Sequence, residues 1–421
     1  MDQGNTAFLL LAAALVLLMT PGLAFFYGGL VRAKSVISMM MLSFGAMGLI
    51  GVLWVLYGYA ITFSNAGVGD FVGIDGFLGI DLSQLGLQAA FDEATGGDIT
   101  AAYPTLAFAS FQATFAIITV ALISGAIADR AKFGAWMVFA GVWATLVYFP
   151  VASWVFNFTV TDGKVSDGGW IAYNIGANDF AGGTAVHINA GAAALALALV
   201  LGKRVNFTKG AHQPHNPPFV LLGAGLLWFG WFGFNAGSEL AADGIAAVAF
   251  LNTIAAPAAG VLGWLLVEKI KDGKPTSVGA ASGAVAGLVA ITPACNILTP
   301  FWAIVLGIVT GAICALAIDL KYKLGFDDSL DVVGVHLVGG LIGTLYIGFF
   351  GNNVGLLFGF GFDQLGKQAV AAFAVLIYSF LMTLLIGWVI QKTMGFRVKN
   401  EDEIAGIDTA IHGESGYVLA D

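Results

Sequence analysis

Charge is what this sequence has least of. Only 10% of its 421 residues are Asp, Glu, Lys or Arg, while 58% are hydrophobic and the mean hydropathy is +0.88, a balance that excludes a soluble globular chain. Cysteine occurs twice, as Cys295 and Cys314, too seldom for a disulfide framework and in no metal-ligand spacing, so both are read as small apolar packing groups. No basic stretch precedes the first apolar run, and that run is too long for the core of a secretory signal, so it is read as a retained helix. There is no polar segment the size of a soluble domain; neither a cofactor nor a nucleic-acid partner is expected.

What the sequence has in quantity is apolar runs of about 20 residues, the length that crosses a bilayer. Eleven are counted, at approximately 7–31, 36–62, 106–128, 133–156, 181–202, 219–238, 245–267, 277–293, 300–319, 332–350 and 368–391. The fold class is therefore an all-α polytopic membrane protein, with residues 1–394 as the membrane domain and 395–421 as a polar tail. Sorting loops by Lys and Arg puts 15 on one side with the tail and only two, Lys164 and Lys367, on the other. Positive charge marks the cytoplasmic side, so the N-terminus is expected outside and the tail inside the cell membrane. The outer side then carries thirteen acidic residues, Asp98, Asp162 and Asp179 among them, for a net −11. A surface of that sign concentrates cations through a modest, screened field, although plain solvation of long loops would also account for it. Glycine, at 58 residues, is about twice its usual frequency and implies closely packed helices. The Gly-, Asp- and Asn-rich segments 63–105 and 157–180 are expected to cap the outer mouth.

Five runs followed by five more, each half odd in number, predict an inverted repeat with one extra C-terminal helix and a path between the halves. A histidine in each half supports this: Asp179 precedes His187 by eight residues, and Asp331 precedes His336 by five. His212 and His215 lie in a loop and His412 in the tail, so His187 and His336 are the two inside the membrane. An ionisable side chain there must face a cavity or a partner. At about 1.5 Å per residue, His187 stands roughly 22 Å from the inner end of its helix and His336 roughly 21 Å from the outer end of its own, so helix tilt brings them level. Satisfied packing and a metal site compete with a pore role; the metal reading lacks a third ligand at that depth. Aromatic stripes form a second constellation, with Trp228, Phe229, Trp231, Phe232 and Phe234 ahead of Asn235, Ser238 and Glu239, and with Phe108, Phe111 and Phe115 on the third run. Ring faces beside a hydroxyl suit a partly dehydrated cation, though such stripes also serve as packing.

The sequence resembles the ammonium transporter family in its wide sense, methylammonium permeases and Rhesus-type channels included, with the prokaryotic branch the nearest. The resemblance spans nearly the whole chain: PGLAFFYGGLVRAKS, GAIADRAKF, DFAGGTAVHINAG, GWFGFNAGS, ITPAC, DVVGVHLVGG and, in the tail, HGESGY. It implies that His187 and His336 are twin histidines bridged by a hydrogen bond in a narrow apolar pore. It implies that Phe115 and Phe234 are a stacked outer gate, with Phe111, Tyr148 and Trp231 nearby. Ser238 would be the hydroxyl of an external ammonium site and Asp179 the carboxylate that supports it. Phe156 occupies the place where many relatives carry a tryptophan, with Trp154 two residues away, and recruitment affinity is what that departure touches. By the same resemblance the substrate is ammonium or ammonia, methylammonium included. The protein would form homotrimers and be blocked by a cytoplasmic PII-type signalling protein through a tail matching at Gly406, Asp408, His412 and Gly413. An ammonium sensor is the alternative function; a membrane enzyme lacks a nucleophile and ligands.

Overall fold

The computed structural model describes residues 1–66, 69–97, 99, 101–161, 164–208 and 213–417; Asp98, Asp162, Lys209 and His212 lie outside these described residues. Ten helices among them are long and apolar enough to cross a membrane, in chain order α1 Gln3–Leu30, α2 Ala33–Thr62, α3 Thr105–Ile127, α4 Phe133–Phe156, α5 Gly183–Leu201 and α6 Pro217–Glu239. After α7, Gly244–Lys271, comes the shorter apolar α8, Ser277–Ile291, followed by α9 Pro300–Leu324, α10 Val333–Phe350 and α11 Asp363–Thr393.

Helix ends fall where polar residues satisfy the orphan N–H groups of a first turn. Asp2 accepts from Asn5 N at 2.8 Å, Asn216 from Phe219 N at 3.1 Å, Asp243 from Ile245 N at 2.9 Å and Thr276 from Gly279 N at 2.9 Å. At Asp2 such a cap carries α1 ahead of its apolar run, to Gln3, whereas α7 outruns its apolar stretch at the other end, through Glu268 to Lys271, and α11 starts at Asp363 without a side-chain cap. The opposite happens in α8. At about 1.5 Å per residue its 15 residues fall short of the roughly 30 Å hydrocarbon thickness, because the chain leaves the helix at the Thr-Pro pair of ITPAC. Irregular backbone at this depth needs internal partners. Asn252 supplies them, donating to the carbonyls of Cys295 and Leu298 at 2.9 and 2.8 Å.

Glycine sets how closely the helices approach. A β-carbon on Gly223 of α6 would lie 2.2 Å from the backbone nitrogen of Phe26 in α1, and one on Gly191 of α5 would lie 2.5 Å from that of Leu337 in α10. The second crossing joins the two halves of the chain and carries the two membrane histidines.

The loops on the face away from the tail contain strand that an all-helical reading did not anticipate. β1 Phe71–Ile74 pairs antiparallel with β2 Leu78–Asp81, and β3 Phe158–Thr161 with β4 Lys164–Gly168. Trp170 N donates to Gly76 O at 2.9 Å, tying the first hairpin to the segment after the second. The tail packs on the opposite face. Lys132 N donates to Phe396 O and Val398 N to Arg130 O, both at 2.9 Å, and the Phe396 ring is fully buried.

Candidate functional site

The site is built where α5 and α10 begin. Each opens with a π-turn, Gly183–Ile188 and Val333–Leu337, and each turn ends beside its histidine. A π-turn widens the helix and re-aims side chains, a device common at functional positions. A carboxylate anchors each start. Asp179 accepts from Gly182 N (2.9 Å), Gly183 N (2.5 Å), Thr184 N (2.8 Å) and Ala185 N (3.2 Å), and from the Thr184 hydroxyl. In the second half the matching residue is Asp328, accepting from Val332 N at 3.1 Å and Val333 N at 2.7 Å. The sequence comparison of Asp179 with Asp331 is thus corrected. Asp328 stands eight residues before His336, as Asp179 does before His187, whereas Asp331 adopts a left-handed φ of 65° and pairs with Lys321 at 2.6 Å. Asp179 borders the same cavity as Ser238, on the face away from the tail, and Asp328 a cavity near Lys321 at the other end, so the two helices enter from opposite faces.

At mid-depth the two imidazoles meet. His187 Nδ1 and His336 Nδ1 are 3.2 Å apart, both residues buried, with ring centroids 5.3 Å apart and planes inclined by 22°. One Nδ1 donates and the other accepts, which leaves an Nε2 on each ring for the space beside them. His187 Nε2 is buried with no protein partner among the described residues. That space is narrow, about 10 Å³, roughly what a single water needs. Apart from the histidines its walls are apolar, Leu23, Phe26, Ile118, Val186 and Val285 among them.

Phe234 and Trp231 close its end away from the tail. The Phe115 and Phe234 rings stack with centroids 4.1 Å apart and planes at 24°, so no straight passage runs between them. Above the stack opens a pocket of about 300 Å³, lined in part by Phe115, Phe156, Gln112, Tyr103, Phe180 and Ser238. Ser238 Oγ donates to Phe234 O at 2.8 Å, which commits its proton and leaves its lone pairs as acceptors. Phe156 stands edge-on to Phe115, centroids 6.1 Å apart at 80°. Trp154 turns elsewhere. It stacks on Phe77 of the β1–β2 turn, donates to that residue's carbonyl, and does not stand in for a ring at position 156.

Three other expected residues lie behind these walls. Phe111 is buried against Phe115 at 4.8 Å, edge to face. Trp231 lies below the stack, its indole parallel to His187 at 5.4 Å and held by a 2.9 Å bond from Nε1 to Thr292 Oγ1. Tyr148 is fully buried beside Thr119. Gln112, Tyr103 and Phe180 were not anticipated; Gln112 alone carried a signal, being the one amide in the apolar third helix.

On the tail side a buried ion cluster closes the bundle. Arg204 donates twice to Asp327, at 2.9 Å from both Nε and Nη2, and once to Asp129 at 3.2 Å. Burial alone would push the Asp327 carboxyl up, but the Arg204 hydrogen bonds and the Arg130 and Arg204 charges outweigh it and hold it below 3.8. Burial brings Arg130 down to about 10. The tail attaches here: Glu403 is buried, accepts from Val205 N at 2.6 Å and pairs with Arg397 at 2.7 Å. Asp408 accepts from Ile37 N and Ser38 N at the start of α2, at 3.0 and 2.7 Å. Gly406, at φ 126°, passes against Lys34, and Gly413, at φ 68°, ends the turn carrying His412, whose ring meets Phe133. Among the described residues no group of three or more His, Cys, Asp or Glu is placed to hold a metal ion.

Residues 7–417 match the sequence model described as the Ammonium Transporter Family. An ammonium transporter of Mycobacterium tuberculosis is 54% identical, covering 100% of this chain and 91% of that one. Among solved structures, one titled Sensor Amt Protein aligns with a TM-score of 0.86 at 28% identity, over 97% of this chain and 98% of that one. Candida albicans Mep2 aligns with a TM-score of 0.84 at 32% identity, over 96% and 88% of the two chains.

Proposed function

Because the chain belongs to the ammonium transporter family, we propose that this multi-pass membrane protein recruits ammonium at the outer pocket, takes one proton from it and conducts ammonia past His187 and His336, with or without that proton following by a separate route. The observation that carries this reading is the 3.2 Å contact between two buried imidazoles, directly beneath two phenylalanines stacked at 4.1 Å. Ammonium and potassium ions are alike in size and charge, so a hole of fixed width does not separate them. Ser238 Oγ, its own proton spent on Phe234 O, accepts an N–H bond that only ammonium offers. The faces of Phe115 and Phe156 favour a cation of either kind. Beyond the stacked rings the apolar wall opposes any charge. Ammonium crosses by giving up its proton to water in the outer pocket, and a current arises where that proton then crosses separately; potassium has no proton to give up.

The imidazole pair suits a neutral amine. With its two Nδ1 atoms joined, the pair offers nitrogen donors and acceptors along the path without a fixed charge. Asp179 acts one step removed, holding four N–H groups of the α5 start and so the position of His187. The N-terminus lies outside and the tail inside, three copies form a trimer with one pore each, and the tail is where a cytoplasmic PII-type protein acts. Docking of Glu403 and Asp408 against the bundle supports that last assignment.

A second reading is an ammonium sensor with little flux, favoured by the likeness to the structure titled Sensor Amt Protein. Proteoliposomes holding only this protein separate the two. Ammonium jumps are expected to evoke a current that potassium jumps do not, abolished in the His187→Ala, His336→Ala double variant. Fast internal alkalinisation without current means neutral ammonia conduction. Neither current nor alkalinisation sinks the transporter reading and leaves the sensor.

A further inference from the structure

Between α5 and α11, towards the end of the molecule that carries the tail, lies an open groove of about 640 Å³ that no step of transport uses. Its floor follows from one helical stripe. Leu381, Leu385, Trp388 and Lys392 recur at intervals of four, three and four along α11, so they share a face. Leu199 and Val200 of α5 form the facing wall. Gly387 permits the crossing: a β-carbon there would lie 2.8 Å from Leu197 of α5. Leu199, Leu381, Leu385 and Trp388 are each more than half exposed, which on a membrane-spanning helix means a surface that lipid or another chain covers.

We propose that this groove is a binding site for one anionic glycerophospholipid, its acyl chain along the leucines and its phosphate at Lys392. Three observations select that occupant. The apolar stripe ends in a tryptophan and then a lysine, the order in which a bilayer passes from hydrocarbon to headgroup. Lys392 is exposed and has no carboxylate partner among the described residues, whereas Lys271, Lys321 and Lys367 each pair with an aspartate. Gln391 stands on the same rim with its oxygen engaged by Phe396 N and Arg397 N, at 2.7 and 3.2 Å, so the amide nitrogen is what it offers a phosphate. A second copy docked on this face about a twofold axis would bring one Lys392 against the other, and the cross-linking arm of the test below covers a heterologous contact between copies. A lysine at a helix C-terminus also complements the helix dipole, but that role is indifferent to lipid headgroup. Because Gln391 also holds the first residues of the tail, the site lies at the root of that segment.

The inference stands on the membrane architecture and is independent of the transport reading. Its test is native mass spectrometry of the full-length protein in detergent, titrated with dioleoyl phosphatidylglycerol or with dioleoyl phosphatidylcholine. One lysine near an anionic headgroup favours it by about fivefold, so the first phosphatidylglycerol is expected to bind about that much more tightly. Lys392→Gln should erase the preference and leave phosphatidylcholine binding and the melting temperature in phosphatidylcholine unchanged. Leu385→Gln should weaken both lipids. Equal binding of the two lipids by the unaltered protein, or a preference that survives Lys392→Gln, overturns the proposal. So does efficient disulfide cross-linking between subunits of a Leu385→Cys variant in membranes, since a second copy would then cover the groove.

Discussion

Phe156→Trp is the substitution whose outcome bears most directly on recruitment. Phe156 shares the pocket above the stacked rings with Ser238 and stands edge-on to Phe115. On its other side the ring faces Gly182, where an added β-carbon would make ordinary contact at 3.5 Å, so the space there suits a methyl group and not a second ring. A larger ring must extend into the pocket of about 300 Å³, towards the place assigned to the cation. Tryptophan attracts a cation more strongly than phenylalanine does, and since a whole cation–ring contact in a partly exposed setting is worth about 0.5–1 kcal/mol, the gain is at most that much. That corresponds to at most a two- to fivefold tighter site, by about 1.4 kcal/mol per decade. Initial rates of methylammonium uptake into proteoliposomes, taken over a range of concentrations, should show KM lowered by up to that factor. The maximal rate should not rise, because an interaction made equally before and during passage tightens binding without speeding the later step. Phe156→Leu, which removes the ring face and keeps an apolar wall, should raise KM. If both variants keep the parent KM, position 156 does not touch the cation and the placement of the outer site is wrong.

Two further outcomes follow from the carboxylates. Asp179→Asn keeps one acceptor oxygen and turns an amide towards donors that now have no partner, so it should cost about 2–4 kcal/mol of local stability and nearly abolish uptake. Asp328→Asn, with two N–H partners instead of four, should lower the melting temperature less, and the reverse order would refute the capping account. Removing one member of a buried ion pair costs about 3–5 kcal/mol, so Arg204→Leu should lower the melting temperature markedly at pH 7. The native Asp327 carboxyl is held below its usual value, so as pH falls the unfolded chain takes up the proton first. Its contribution is therefore present above about pH 4 and lost below, as the native value is crossed. Melting curves from pH 7 to pH 3 should show that acid loss in the parent and less of it in Asp327→Asn.

The features most legible in the sequence were those written in composition and period. Apolar runs placed every membrane helix to within a few residues, except where a cap such as Asp2 carried a helix ahead of its run or the Thr-Pro of ITPAC cut one short. His187 and His336 were legible because charge-capable groups are so rare in such runs. What the sequence withheld depends on backbone geometry. The π-turns before both histidines have no residue signature in Gly183–Ile188 or Val333–Leu337, and the β1–β2 turn that claims Trp154 arises from a loop whose Gly and Asp content reads only as irregular. Gln112 and Tyr103 join one pocket from segments whose distance no periodicity encodes.

The second-half carboxylate shows why counting alone was insufficient. The segment Asp327-Asp328-Ser329-Leu330-Asp331 offers three acids before His336, and charge gives no reason to choose among them. Hydrogen bonding divides their work. Asp327 faces Arg204, Asp328 holds the first turn of α10, and Asp331 takes the left-handed backbone position and Lys321. Once Asp328 is chosen, both halves obey one rule, in which a capping carboxylate is followed eight residues later by an imidazole at the end of a π-turn. Because the two caps sit at opposite faces, each histidine is positioned from its own side of the membrane. Displacing either helix start would then part the 3.2 Å contact between the rings. The inverted repeat is thus a reason why two imidazoles meet at mid-depth, where a single helix could deliver only one.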